Sequence, residues 1–292
     1  MVKIENCPVC GSHNFSEFLE LNDFFLTQEP FVLQKCQSCG FVFTNPRPDD
    51  KSLSRYYESP DYLSHHSDGF SILNLVYQSL RRINIKSKFS KTEQYVSRGS
   101  LLDIGCGTGE LLNYFQNKKW NVKGIEPSES ARKFAIEKYG LDIQDEPGLK
   151  SLAEQTFDVV TMWHVLEHVA NLNDRIEVIF KLLKKSGYLI IALPNMNSWD
   201  AKHYGKYWAA YDVPRHLHHF SKSTITALVE KHQFRFRESI PMKMDAYFIS
   251  MLSEKYLKKN NPYLSALKNG VRSNAKAKKS GEYSSLIYVF QK

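Results

Sequence analysis

The chain has 292 residues, 42% of them hydrophobic and 24% charged, and carries a net charge of +8. That length suits one large α/β domain with a small appendage, and no apolar run reaches the eighteen or so residues that a membrane-spanning helix requires. The opening MVKIENCPVC lacks the basic-then-apolar layout of a signal peptide, which points to the cytoplasm and to cysteines outside a disulfide framework. The charge is uneven: residues 231–292 hold thirteen Lys/Arg against four Asp/Glu, most densely in LKNGVRSNAKAKKSGE. Read plainly, this is a solvated, partly mobile segment. Read functionally, it attracts a phosphate-bearing or membrane-surface partner.

Along the chain, CPVCG and FVLQKCQSCGFVFT read as two tight turns, each carrying a CxxC followed by glycine, with FVLQKC and FVFT alternating as short strands. Cys7, Cys10, Cys36 and Cys39 can complete a tetrahedral zinc site. Four thiolates leave no position for a catalytic water, so the expected metal is structural. Gly11 and Gly40 follow each pair, where a backbone amide can turn toward sulfur. TNPRPDDKSLSRYYESPDY is a proline-punctuated connector with a short helix, and Phe70 to Val96 repeats Ile72, Leu75, Val76, Leu80, Ile83 and Ile85 at near-helical spacing. The expected division is a zinc ribbon over 1–48, a helical connector and cofactor lid over 49–99, and a domain over 100–292 with a basic insertion at about 246–282.

From Ser100 onward, SLLDIG, NVKGIEP, FDVVTMW and GYLIIALP are short buried strands, and GELLNYFQNKK, ESARKFAIEKYG and NDRIEVIFKLLKKSG are helices between them. Glycines end the second and third of these helices, as a left-handed cap requires. LDIQ is the best candidate for a weak further strand. After Pro194 comes a loop of about 25 residues, then the helix STITALVEKHQF, the strand RFRESIPM, the helix AYFISMLSEKYL and the terminal strand SSLIYVFQK. Strands alternating with helices imply a doubly wound α/β fold, a parallel sheet covered on both faces.

LLDIGCGTGE sets Asp103, Gly105, Cys106, Gly107 and Gly109 where a buried strand meets a helix, so the backbone can approach a ligand and offer amides to it. Glu110 stands where a dinucleotide fingerprint needs its third glycine, which argues against NAD. Glu126, before Pro127 and 21 residues after Gly105, ends the next strand, where a carboxylate accepts ribose hydroxyls. An acid on each side of the glycines suits a nucleoside without phosphates. Cys106 is read as a small filler.

LLDIGCGTG with GIEPS, FDVVTMWHVLEHV and GYLIIALPN resembles the class I S-adenosylmethionine-dependent methyltransferases over about 100 to 240. The resemblance implies a Rossmann-like seven-stranded sheet whose last strand is antiparallel. It also implies that Asp103 to Gly109 cradle the methionine part of the cofactor while Glu126 takes the ribose, and that the His164 backbone joins the pocket. The usual acid against adenine has no clear counterpart; Asp145 or Glu146 are the candidates. Residues 7 to 62 are similar to the N-terminal segment of bacterial methyltransferases acting on sugars and cell-surface precursors. There Tyr56, Tyr57 and Tyr62 either close over the cofactor or pack.

The stretch YDVPRHLHHFS, Tyr211 to Ser221, belongs to the loop after Pro194 and should face the carboxyl ends of the strands, where the acceptor sits. Methyl transfer from a sulfonium asks the enzyme to align the acceptor and remove a proton. Histidine is the natural base. The resemblance favours His216, with His168 beside Glu167 as second candidate. Asp212 is expected to orient an imidazole, and Arg215 to hold a phosphate or carboxylate in its fork. A plainer reading makes His219 and Phe220 staples for a helix capped at Ser221 or Ser223. The expected acceptor is a small molecule, a sugar, nucleotide-sugar or lipid-linked intermediate. RNA is the alternative partner, though TMWHVLEHV lacks the Asn/Asp-Pro-Pro-aromatic of base-amine methylation and the basic tail lacks interleaved aromatics. A non-catalytic scaffold is the third reading.

Overall fold

The computed structural model describes residues 1–57, 72–258 and 261–292. Tyr62 therefore lies outside the described residues. The cysteine segment folds into antiparallel strands β1 (Phe15–Asn22), β2 (Pro30–Cys36) and β3 (Val42–Thr44), followed by a single helical turn, Asp50–Leu53. It does not stand apart. Phe43 and Val42 pair with His218 and His219 from the far end of the chain, and the Thr44 amide donates to the Leu217 carbonyl at 3.0 Å.

Helix α1 (Ile72–Glu93) leads to the main sheet. Its parallel part is β4 (Ser100–Ile104), β5 (Asn121–Ile125), β6 (Ile143–Gln144), β7 (Phe157–Trp163) and β8 (Leu183–Pro194), interleaved with α2 (Glu110–Asn117), α3 (Glu129–Tyr139) and α4 (Leu172–Leu182). Beyond it come α5 (Trp199–Tyr204), β9 (His218–His219), α6 (Lys222–Glu230), β10 (Arg235–Pro241), α7 (Asp245–Tyr256), α8 (Pro262–Ser280) and β11 (Ser285–Gln291). The seven strands lie in the order β10–β11–β8–β7–β4–β5–β6, with β11 antiparallel to both β8 and β10. The expected fold class is thus observed.

The central strands read as unbroken apolar runs because both faces are covered. On one face Leu102, Ile104, Val160, Met162, Leu189 and Ile191 pack with Ile176 and Ile179 of α4 and Ile225 and Leu228 of α6. On the other, Leu101, Val159 and Ile190 meet Leu112 and Phe115 of α2, Trp120 and Phe89 of α1. The first core is continuous with Cys7, Val9, Cys36, Phe41 and Phe43, so the cysteine unit shares a hydrophobic interior with the sheet.

Several local expectations change. Ile83 is 61% exposed, while Ile85 and Phe89 pack against the second core, Phe89 meeting Phe115 edge-on at 4.9 Å. Gly140 caps α3 in the left-handed conformation, but the chain after α4 runs straight into β8, so Gly187 caps nothing. The loop after Pro194 contains α5 and two short 3₁₀ turns, fastened by buried Asp200. That carboxylate accepts from Trp208 Nε1 at 2.9 Å, Ser273 Oγ at 2.7 Å and Ser284 Oγ at 2.6 Å. The basic segment is not a loose tail, for most of it forms α7 and α8.

Candidate functional site

Two CxxC turns bring the four sulfurs within 4.8 Å of one another, with Cys7 to Cys39 at 3.6 Å and Cys10 to Cys36 at 3.5 Å. Sulfurs bound about 2.3 Å from a tetrahedral ion stand about 3.8 Å apart, so the set fits such an ion. Gly11 and Gly40 serve these turns differently from expectation. Their amides donate to the Cys7 and Cys36 carbonyls at 2.8 and 2.9 Å. The amides aimed at sulfur come from within the turns, Val9 and Cys10 for Cys7, Ser38 and Cys39 for Cys36. Burial pushes the Cys7 thiol up to about 11. At Cys36 burial acts the same way, but the amides prevail and bring it down to about 7.

The glycine loop joins β4 to α2. Gly105 has φ +74°, and a side chain there would strike Val165 Cγ2 at 2.4 Å, so only glycine fits. Gly107, at φ +54°, has open space where a Cβ would stand, as a cradle for a ligand requires. Asp103 is buried, accepts from Thr161 Oγ1 at 2.6 Å and is pushed up to about 6 by burial. Glu126 takes the Gly107 amide at 2.8 Å and the Ser128 amide at 2.9 Å, which ties the acid to the loop. The Pro127 carbonyl accepts from Arg132. Glu110 is paired with Arg81 at 2.9 Å. Cys106 is a filler, buried against Gly124, where an added Cβ would lie 2.6 Å from its sulfur. Neither candidate for adenine is free of other work, since Asp145 accepts from the Gly148 amide and Glu146 pairs with Arg175.

Val165 links this cradle to the turn after β7. His164 holds a left-handed backbone (φ +58°) and lies between Asp245 Oδ2, 3.1 Å from Nε2, and Glu167 Oε1, 3.4 Å from Nδ1. Burial opposes its protonation, but the two carboxylates prevail and hold it protonated up to about 9. Glu167 is 1% exposed and, against its burial, is held as a carboxylate by the His164 imidazolium 3.4 Å away, although among the described residues neither oxygen completes a hydrogen bond of good geometry. A buried carboxylate so incompletely bonded keeps room for a further donor, which singles this one out.

The histidine loop is stitched on by the Leu217 amide, 2.8 Å from the Glu167 carbonyl. His216 and His168 meet edge to face at 4.6 Å. His216 Nδ1 is 2.8 Å from the Ala210 carbonyl, and His168 Nδ1 is 3.0 Å from the Arg215 carbonyl and 3.0 Å from the Tyr57 hydroxyl. A carbonyl only accepts, so each Nδ1 carries a proton, which turns each Nε2 away from these carbonyls. Burial, then the neighbouring His216, lowers His168 to about 4. Glu167, His168 and His216 offer one ligand atom each within 4.8 Å, a second group with the spacing of a metal site. A crevice beside them, lined by Pro194, Met196, Trp208, Ala210, His216 and His219, is too tight to admit a water molecule.

Two roles read from the sequence are corrected. Arg215 is 1% exposed and its fork is already filled: Nε and Nη2 donate to Asp212 at 3.0 and 2.7 Å, Nη2 to Asp23 at 2.7 Å, and Nη1 to the Tyr56 carbonyl at 3.0 Å. It cannot grip a phosphate or carboxylate of an acceptor. Asp212 is engaged by that guanidinium rather than by an imidazole. His218 and His219 sit in the β3–β9 pairing, both driven neutral by burial, His218 to about 3. Ser221 caps α6 in a capping box with Thr224, as expected. Tyr57 finds its place beside His168, consistent with a residue of the site. Sequence reasoning missed Asp23, Asp245 and Lys88, the last lying 4.6 Å over the Trp163 ring and facing Asp103. No local motif marks any of the three.

Comparisons with known proteins bear on the fold and the family. A ubiquinone biosynthesis O-methyltransferase of Rhodopseudomonas palustris is 29% identical over 144 residues, 47% of this chain and 57% of that protein. One from Maricaulis maris is 33% identical over 131 residues, 42% and 52% of the respective chains. This chain thus spans about half the length of the curated relatives it matches. Among solved structures, the 1,6-didemethyltoxoflavin-N1-methyltransferase of Burkholderia thailandensis, crystallised with S-adenosylhomocysteine, is 13% identical and covers 88% of this chain and 97% of its own (TM-score 0.51). The PH0226 protein of Pyrococcus horikoshii is 15% identical over 82% of this chain and 98% of its own, also at a TM-score of 0.51. At these identities the structures share the fold. Residues 79–239, more than half of the chain, match the family model described as a methyltransferase domain, and the chain belongs to that family.

Proposed function

We propose that this protein transfers a methyl group from S-adenosylmethionine to a hydroxyl of a small-molecule acceptor, with His216 as the base. One observation carries the reading: the glycine cradle abuts, through Val165, the edge-to-face pair His168 and His216, whose ring nitrogens lie within 4.8 Å of the buried Glu167 carboxylate. When bound, the cofactor supplies a methyl carbon already activated by positive sulfur. Asp103 and the loop Gly105–Gly109 hold its amino-acid part, and Glu126, oriented by the Gly107 and Ser128 amides, takes the ribose. His216 removes the acceptor proton. The imidazolium that forms is stabilised by Glu167, and its ring is held in register by the Ala210 carbonyl. Tyr57 and His168 close the same wall.

The relatives named for ubiquinone biosynthesis support an oxygen acceptor, and the N-terminal likeness supports a sugar or lipid-linked one. The four cysteines are assigned a structural zinc, whose loss on chelation should unfold the turns packed on Phe41 and Phe43. Transfer of labelled methyl from the cofactor into fractionated extract identifies the acceptor class. His216→Ala should abolish that transfer while cofactor binding persists; turnover retained by this variant would remove His216 from the role.

A further inference from the structure

Helix α8 is turned inside out. Its inward face is small and polar: Ala266, Asn269, Gly270, Ser273 and Ala277. Asn269 donates to Tyr204 and Glu254, and Ser273 to Asp200. Its large apolar residues point to solvent, with Leu264 at 67%, Leu267 at 57% and Val271 at 51% exposed. A soluble helix ordinarily buries such a stripe and exposes its polar residues. Gly270 sits under the Tyr247 ring, and Asn274 Nδ2 donates to the Lys243 carbonyl at 2.9 Å. These contacts lay the stripe beside the start of α7, where Met244 and Phe248 are each 60% exposed. Five cations, Lys268, Arg272, Lys276, Lys278 and Lys279, share α8 with no acid.

We infer that this outer face of α7 and α8 seats the protein on a bilayer surface carrying anionic phospholipid. Aliphatic side chains level with a basic flank are the requirements of an interfacial helix, the former entering the headgroup boundary and the latter meeting the negative leaflet. The charge pattern selects this occupant. A second copy related by two-fold symmetry would set the cations of one α8 against those of the other. RNA would leave the aliphatic stripe without a partner, and α8 has no run of aromatics for bases to stack on. The patch also borders the site, since Asp245, next to Met244, holds His164 at 3.1 Å. An acceptor anchored in the membrane would reach His216 without leaving it, and this last step alone rests on the proposed methyl transfer.

The test is co-sedimentation with vesicles of phosphatidylcholine alone or mixed with phosphatidylglycerol. The wild type should pellet with the mixed vesicles and be released by salt. Leu267→Glu with Val271→Glu should remain in the supernatant, with unchanged circular dichroism because both positions are exposed. Each of Lys268→Ala and Arg272→Ala should weaken binding about fivefold. Wild type staying in the supernatant with both vesicle types would overturn the inference. So would a dimer, or an RNA complex, that Leu267→Glu abolishes while vesicle binding persists. Sedimentation needs neither cofactor nor acceptor, so its failure leaves the proposed methyl transfer standing, and the converse holds.

Discussion

Two charged clusters share the wall built by the histidine loop, and they are satisfied to opposite degrees. Arg215 is buried with three partners for its guanidinium, Asp23, Asp212 and the Tyr56 carbonyl. Glu167, whose carbonyl is bonded to the amide of Leu217 in the same loop, is as deeply buried, yet its carboxylate has His164 at 3.4 Å and, among the described residues, no hydrogen bond of good geometry. A closed network stabilises a fold, because removing one member strands the others. A carboxylate with incomplete hydrogen bonding beside two imidazoles costs stability and retains capacity for a proton or a cation. On the proposed methyl transfer, the first cluster holds the loop in place and the second does the chemistry.

The sharpest way to break this contrast is to cut the closed cluster. Arg215→Met should cost about 3–5 kcal/mol in urea unfolding, since it leaves the buried Asp23 and the partly exposed Asp212 without their counter-ion. A loss within experimental error, with methyl transfer abolished, would return Arg215 to the acceptor. His216→Ala should lower kcat by about 10²–10⁴-fold while unfolding stays close to wild type. Glu167→Gln should lower kcat by about tenfold or more, roughly 1.4 kcal/mol of barrier, and leave the melting temperature nearly unchanged, because His164 keeps Asp245 as its partner. A large drop in melting temperature would place Glu167 with the structural cluster.

Two pH profiles refine the picture. Burial holds Asp103 up to about 6, above its ordinary range, so the free protein protonates it as pH falls through that value. If its ionised form grips the cofactor, affinity measured by calorimetry should fall below pH 6 by up to about tenfold per unit, and Asp103→Asn should flatten the curve. The smallest effect belongs to His164. Its folded value, about 9, lies above the ordinary 6.5, so its stabilising contribution is complete below about 6.5 and is lost as pH rises through 9. His164→Gln should remove that part of the pH dependence of unfolding.

The sequence by itself determined what local chemistry dictates. A strand followed by glycines at fixed spacing, an acid ending the next strand and two CxxC turns state their geometry within a few residues, because positive φ and thiolate spacing are local constraints. The cradle and the clustering of four sulfurs were therefore legible, whereas the antiparallel last strand was expected only through the resemblance to methyltransferases. Tertiary structure decided which charges are satisfied. YDVPRHLHHFS offered five ionisable side chains, among which the resemblance favoured His216, and it takes a partner 192 positions away, Asp23, to complete the Arg215 fork. His218 and His219 became strand residues because β3 lies beside them. Long-range pairing of this kind leaves no periodic trace, since the energy of a buried charge depends on what the fold brings against it.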